Sequence, residues 1–250
     1  MTTCINADTP IHMDYEKVEC IITGGRTLKS IPIDVTPIII IKYGPTGSGK
    51  GSAVVTKQIE ALGIPLDHYL TFEVDSVIES VASYKRGTVK IRVNRNSNKM
   101  TNTNMYRQLK NLYFATRKAK NYNNKSINSK IDTLLERALK DRKNIIFETT
   151  GSRYDGNHPF KWLLDLVHLQ SRYKIVVIYP FVGVDDLKAR VVRRAESQYA
   201  NPIEEKKLYR AVDPSNIAGA VENSQRNFKE FIVPDLFSGQ IDQVVGVWNT

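Results

Sequence analysis

An α/β fold, with a mostly parallel sheet and helices on both faces, is the architecture this sequence predicts, on three observations. Short apolar, β-branched runs alternate with stretches of helical spacing along most of the chain, the pattern of strand–helix–strand crossovers. The run Ile38 to Ile41 passes directly into a glycine-rich stretch, YGPTGSGKGS, from Tyr43 to Ser52. The 250 residues are 41% hydrophobic and 25% charged, which suits one large soluble domain, or one domain with an appendage.

Taken in order, the residues up to Asp34 read as short alternating pieces such as VECIIT, ending in Gly24-Gly25. They are expected to form a hairpin or an N-terminal extension, residues 1–34, ahead of a main domain at 35–250. TPIIIIKY reads as a fully buried strand. Ser52 to Leu62 has helical spacing and stops at Gly63, and HYLTFEV is a second strand. MYRQLKNLYFATRKA places Met105, Leu109, Leu112 and Tyr113 at helix spacing. IDTLLERALKDR is a further helix that leads into the strand NIIFE. A helix over Pro159–Gln170, the strand YKIVVIYPF and a helix DLKARVVRRAESQ capped by Asp185 follow. Helices around Ile203–Arg210 and Pro214–Ile232 precede a last strand, DQVVGVW.

Net charge is +10 and the isoelectric point is near 9.5, so an anionic partner or substrate is expected. The excess is concentrated. Between Lys85 and Lys143 the only acids are Asp132, Glu136 and Asp141, and the same region is rich in asparagine. Residues 84–130 are therefore read as a Lys/Asn-rich insertion or substrate region of weak structural preference. The longest aliphatic run is four residues, far short of a membrane span, and no secretory leader is recognisable. Cys4 and Cys20 lack metal-type spacing and read as free thiols, which points to a reducing, cytoplasmic setting.

The glycine-rich stretch carries the chemistry. Gly44, Gly49 and Lys50 meet the first seven positions of G-x-x-x-x-G-K-[ST]. A loop between strand and helix must turn so that successive N–H groups face phosphate oxygens, and glycine permits that turn. The loop residues Gly44, Pro45, Thr46, Gly47, Ser48, Gly49, Lys50, Gly51 and Ser52 are thus the expected nucleotide-binding set. The following helix, opening at about Lys50, adds its positive end, and Lys50 reaches the terminal phosphates. Gly51 stands where a hydroxyl residue commonly binds Mg²⁺, and that hydroxyl arrives one residue later, at Ser52. The variant resembles the loop of nucleoside monophosphate kinases. It argues against a GTPase switch, as does NKSI, which lacks the aspartate of a guanine signature.

Phosphoryl transfer also needs a positioned acceptor and neutralised charge. EVDS places Asp75 at the end of the second strand, where an acid can take a hydroxyl proton and help order Mg²⁺; the alternative role is a helix cap. NIIFETTGS runs three apolar residues into Glu148, with Thr149, Thr150 and Ser152 on the same rim. In KARVVRRAESQ, Arg190, Arg193 and Arg194 share one helix face, a fork-shaped set that suits phosphate. A solvated basic face is the other reading of that helix.

Together these pieces resemble the zeta toxin family of P-loop kinases over roughly Pro37 to Phe237. The likeness is strongest at GPTGSGKGS, at NIIFETTGSRYDGNHP and at YKIVVIYPFVGVDDLKARVVRRAE. It implies a P-loop NTPase-type sheet and an ATP- and Mg²⁺-dependent kinase acting on a hydroxyl of an anionic small molecule, such as a UDP-linked amino sugar. Lys50 would hold the β and γ phosphates, and Asp75 would be the base. Glu148 and Thr150 would line the acceptor site. Arg194, or Arg193, would clamp the phosphates, with Arg210 as a second arginine. Ser52 and Asp75 would serve the metal, and an antitoxin-like protein partner is implied as well. The sequence departs from the family at Gly51, at Thr149 and at Ser152.

Two alternatives stay open. One is a kinase of polynucleotide ends or nucleoside monophosphates. The other is a nucleic-acid-binding protein with a regulatory nucleotide site, motivated by the charge and by Tyr106, Tyr113, Phe114 and Tyr122, which equally suit the buried face of a helix. Salt separates them from the leading reading: polynucleotide binding should fall steeply with ionic strength, and binding of a small acceptor should fall less.

Overall fold

A computed structural model of the chain describes residues 11–97, 101–120, 124–152, 161, 163–165, 167, 173–200 and 212–249. Its centre is a five-stranded sheet of β1 (Ile38–Tyr43), β2 (Tyr69–Phe72), β3 (Asn144–Thr149), β4 (Lys174–Phe181) and β5 (Gln243–Trp248). The order is β2-β3-β1-β4-β5, and every ladder is parallel. All five are the strands expected from the apolar runs. All six residues of β1 are buried, as a central parallel strand covered on both faces requires. Each fully buried isoleucine there contributes about 1.5–3 kcal/mol of burial free energy.

The strand starts are tied by side chains. Asn144 Oδ1 accepts from the Ile38 amide at 2.8 Å, and Asp242 Oδ2 accepts from the Ile175 amide at 2.7 Å. Those bonds fix the register of β1 against β3 and the entry of β4. Helix α2 (Ala53–Glu60) packs Val55 and Ile59 onto Ile38, Ile40, Ile146, Val176 and Ile178. It starts three residues after Lys50, with Ser52 as its N-cap.

The chain divides into two compact units. One contains the whole sheet and α2, over Arg26–Phe72, Leu135–Lys188 and Ser215–Thr250. The other is helical where described, and is built from Glu73–Leu134 with parts of Met1–Gly25 and Ala189–Pro214.

In the helical unit, α1 (Ile11–Ile22) replaces the hairpin or extended pieces expected before Asp34. Val18 and Ile22, four apart, are both buried, so VECII follows the helix period rather than alternation. Cys20 is disulfide-bonded, which corrects the free-thiol reading and removes the compartment argument drawn from it. Helix α3 (Val74–Ser80) was anticipated only through the alternative reading of Asp75 as a helix cap; α4 (Ala82–Asn96) was not expected from the sequence, and α5 (Asn102–Lys118) was. The described part of the Lys/Asn-rich region is thus mostly helical. Apolar faces hold it: Met105, Leu109 and Tyr113 of α5 are buried, as is Tyr84 of α4. Helix α6 (Ile127–Lys140) matches its expectation.

Helix α7 (Val184–Ala200) takes Asp185 into its first turn rather than at its cap, where a carboxylate still favours the positive helix end. The helix expected at 203–210 and most of that at 159–170 lie outside the described residues. The expected helix at 214–232 is a short 3₁₀ turn, then α8 (Ile217–Asn227), then a π-helical turn at Phe228–Ile232. No helix among the described residues is long and apolar enough to cross a membrane.

Tyr69 opens β2 with its hydroxyl buried and without a hydrogen-bond partner among the described residues. Burial, helped by Asp34, pushes its pKa up to about 12 from 10.0. Tyr173, whose hydroxyl lies 3.1 Å from the Lys143 carbonyl, is raised further by burial. Above pH 10 the unfolded chain loses these protons first, so stability is intact below that value and falls as pH rises from 10 towards 12. Urea melts across pH 8–12 should show that decline, and Tyr69→Phe should flatten it.

Candidate functional site

The loop from Gly44 to Ser52 leaves the carboxyl end of β1 and enters α2, at the sheet edge where open α/β folds bind ligands. Its first bond, Gly44 N–H to the Thr149 carbonyl at 3.2 Å, ties it to the end of β3. Ser48 N–H donates to Pro45 O at 3.2 Å and Ser52 N–H to Gly49 O at 2.8 Å, so the loop closes on itself in two turns. The Ser48 hydroxyl is buried with no hydrogen-bond partner among the described residues. A buried hydroxyl without a partner is costly, and an arriving oxyanion would satisfy it.

Gly49 is held at φ +85°, and a Cβ there would lie 1.7 Å from Asn249 Nδ2. That amide donates to the Ser48 carbonyl at 2.9 Å, and the Asn249 backbone N–H donates to Phe181 O at 3.2 Å. The residue after β5 therefore braces the loop, and nothing in its sequence context signalled this. Gly51 differs: a Cβ there would meet nothing within 4 Å, and its φ is not positive.

Lys50 is 7% exposed. Its ammonium donates to Gly44 O at 2.7 Å and Pro45 O at 3.1 Å, and lies 3.7 Å from Glu148 Oε1. The loop lysine and the strand-end acid are thus brought together, a pairing that the sequence did not announce. Beyond Glu148, the Thr150 and Ser152 hydroxyls are 2.9 Å apart, and Thr149 Oγ1 accepts from Gly151 N–H at 3.2 Å. Gly151 is required at φ +63°, because a Cβ would sit 2.1 Å from the Tyr43 ring. The Tyr43 hydroxyl lies 3.1 Å from Gly151 O and 2.9 Å from Ser224 O, and Asn227 Nδ2 donates to Gly151 O at 2.8 Å. These groups hold the segment after β3 firmly against the end of β1.

The remaining candidates belong to the helical unit. β2 stops at Phe72, so Asp75 is in the first turn of α3 rather than at a strand end; Glu73 takes the cap position without a side-chain cap bond. Asp75 Oδ1 accepts a 2.5 Å hydrogen bond from the Tyr113 hydroxyl of α5. Arg117 lies over the Tyr113 ring at 5.7 Å. Tyr113 is therefore a buried partner of Asp75, not an open stacking surface for bases. On α7, Arg190 and Arg194 are half-buried and Arg193 is exposed. Arg210 and Tyr122 lie outside the described residues.

Metal donors are few: among the described residues no three His, Cys, Asp or Glu side chains gather as a metal site. Ser52 Oγ accepts from Val55 N–H at 3.5 Å, in its capping role. This donor set fits a magnesium ion that arrives with a nucleotide and keeps most of its waters, as is usual beside phosphates.

Loop, sheet order and strand-end acid together make a P-loop kinase-like α/β fold. No family profile matches the sequence and no curated protein matches it. Among solved structures the chain is similar to one described with the PezAT chromosomal toxin–antitoxin system of the human pathogen Streptococcus pneumoniae. The TM-score is 0.53 at 13% identity, covering 92% of this chain and 76% of that one. The protein has a zeta-toxin-like fold.

The two glycines flanking Lys50 should behave oppositely. Gly49→Ala forces a left-handed alanine and displaces Asn249, at a cost of about 1–3 kcal/mol, with loss of nucleotide binding. Gly51→Ala should be neutral or stabilising by about 0.5 kcal/mol. Thermal melts and nucleotide titration of the pair would check this.

Proposed function

We propose that the protein is an ATP- and Mg²⁺-dependent phosphotransferase of zeta-toxin type, moving the γ-phosphoryl group to a hydroxyl of an anionic small molecule, such as a UDP-linked amino sugar. The observation that carries this reading is the loop itself. At the carboxyl edge of a parallel sheet, Lys50 lies beside Glu148, in a loop of glycine turns whose Ser48 hydroxyl is buried without a hydrogen-bond partner among the described residues. In this reading the loop amides and Lys50 hold the β and γ phosphates. Glu148 and Thr150 face the acceptor. A magnesium ion bound with the nucleotide would supply neutralisation of phosphate charge, with Ser52 and Asp75 as the residues assigned to it.

The base role falls to Asp75. It would take the proton of the acceptor hydroxyl as that oxygen bonds to the γ-phosphorus and ADP departs. The Tyr113 hydrogen bond fixes the orientation of the carboxylate, the kind of preorganisation that proton transfer needs. Arg194, with Arg193 and Arg210, would neutralise the charge that builds on the transferring group. An antitoxin-like protein partner belongs to the same reading, because the similar solved chain comes from a toxin–antitoxin system.

The test is transfer of label from γ-labelled ATP with Mg²⁺. The acceptor panel holds UDP-N-acetylglucosamine, nucleoside monophosphates and a 5′-hydroxyl oligonucleotide. Lys50→Ala and Asp75→Asn should each lose at least about 10²-fold in turnover while melting like the parent. Label on the oligonucleotide alone would replace the small-molecule acceptor with a polynucleotide end. Full activity of Lys50→Ala would sink the phosphotransferase assignment to this loop.

A further inference from the structure

Lys42 has no part in the site described so far. It is the fifth residue of β1 and only 6% exposed, in a strand otherwise made of isoleucine and tyrosine. A buried ammonium is tolerated only with a close counter-charge. The β1–β3 register sets Lys42 directly beside Glu148, and Lys42 Nζ lies 3.4 Å from Glu148 Oε2. The other oxygen of the same carboxylate, Oε1, is the one 3.7 Å from Lys50 Nζ. One carboxylate is shared between two ammonium groups, one on each oxygen.

The two lysines are not equivalent. Lys42 is fixed to the sheet at a ladder position. Lys50 sits in the loop, and its ammonium turns to the loop carbonyls Gly44 O and Pro45 O as well as to Glu148. When phosphate enters the loop, Lys50 has to exchange Glu148 for phosphate oxygens. The carboxylate it leaves opposes that exchange twice, by attracting Lys50 back and by repelling the anion. Both effects are strong close to a buried edge, where screening is weak.

From this geometry we infer that Lys42 is a positioning residue for nucleotide binding: it retains and neutralises Glu148 so that Lys50 is released to the phosphate. The inference rests on the loop being a phosphate site, as proposed above. Lys42 touches neither nucleotide nor acceptor in this scheme; it acts through Glu148.

The experiment is titration of the full chain with Mg²⁺–ATP at fixed ionic strength, across a cycle of wild type, Lys42→Met, Glu148→Gln and the double variant. Lys42→Arg and thermal melts serve as controls. Lys42→Met should weaken nucleotide binding about tenfold, the scale of a close charge pair, and Lys42→Arg should restore it. In the Glu148→Gln background the same Lys42→Met change should have no effect on affinity, because no carboxylate remains to be held. That background also covers the case in which Lys42→Met alone fails to fold, since the double variant removes both charges of the pair. An equal loss in both backgrounds would overturn the inference, as would wild-type affinity in a folded Lys42→Met. Absence of nucleotide binding by the wild type would overturn the loop reading itself, a result distinguishable from either.

Discussion

The parallel pairing of β1 with β3 is the constraint on which the rest of the site depends. Its register sets Lys42 beside Glu148 and Tyr43 beside Thr149, so the last two steps of the ladder are chemical rather than apolar. One step holds a carboxylate between two lysines. The other places the Tyr43 hydroxyl where it reaches Gly151 and Ser224. A shift of one residue would turn every side chain of β1 to the opposite face. The Asn144 bond to the Ile38 amide, at the far end of the same pair of strands, guards against that shift.

Strand positions were legible because a parallel strand buried on both faces must be apolar and β-branched, and little else in the chain is. The glycine-rich loop between β1 and α2 was legible for a similar reason. Glycine at fixed spacing around a lysine, directly after a buried strand, is a pattern that a phosphate cradle demands and an ordinary turn does not. Helix α1 was hidden because VECIIT also reads as alternating pieces, and α3 and α4 because their apolar residues are interleaved with polar and charged ones. In α4, ASYKRGTVKIRVNRN reads as polar, yet Tyr84, Thr88 and Arg92 are fully buried. Burial of an arginine is a tertiary outcome that no local period announces. Asp75 was assigned to the right region but the wrong element, since β2 ends three residues before it.

Contacts of long sequence separation were the least legible. Lys42 drew no attention because a lysine near a strand end usually turns to solvent. Only the register with Glu148 gives it a task. Tyr113 was visible as an apolar position of α5, whereas its hydroxyl partner, Asp75, is 38 residues away. The basic Lys/Asn-rich region likewise owes its order to buried positions on α4 and α5. Most of its described basic residues are exposed or half-buried, on or beside helices, and Arg92 is the buried exception among those of α4 and α5.

Asn249 binds the Ser48 carbonyl across 201 residues of chain. Loop and brace are therefore among the earliest and latest pieces of the sheet unit to be made. At ribosomal speeds of about 5–20 residues per second, they emerge roughly 10–40 seconds apart. During that interval the glycine-rich turn exists without its clasp. The geometry of the glycine-rich loop is thus a property of the finished sheet rather than of the loop sequence, and it is complete only once the residue after β5 is in place.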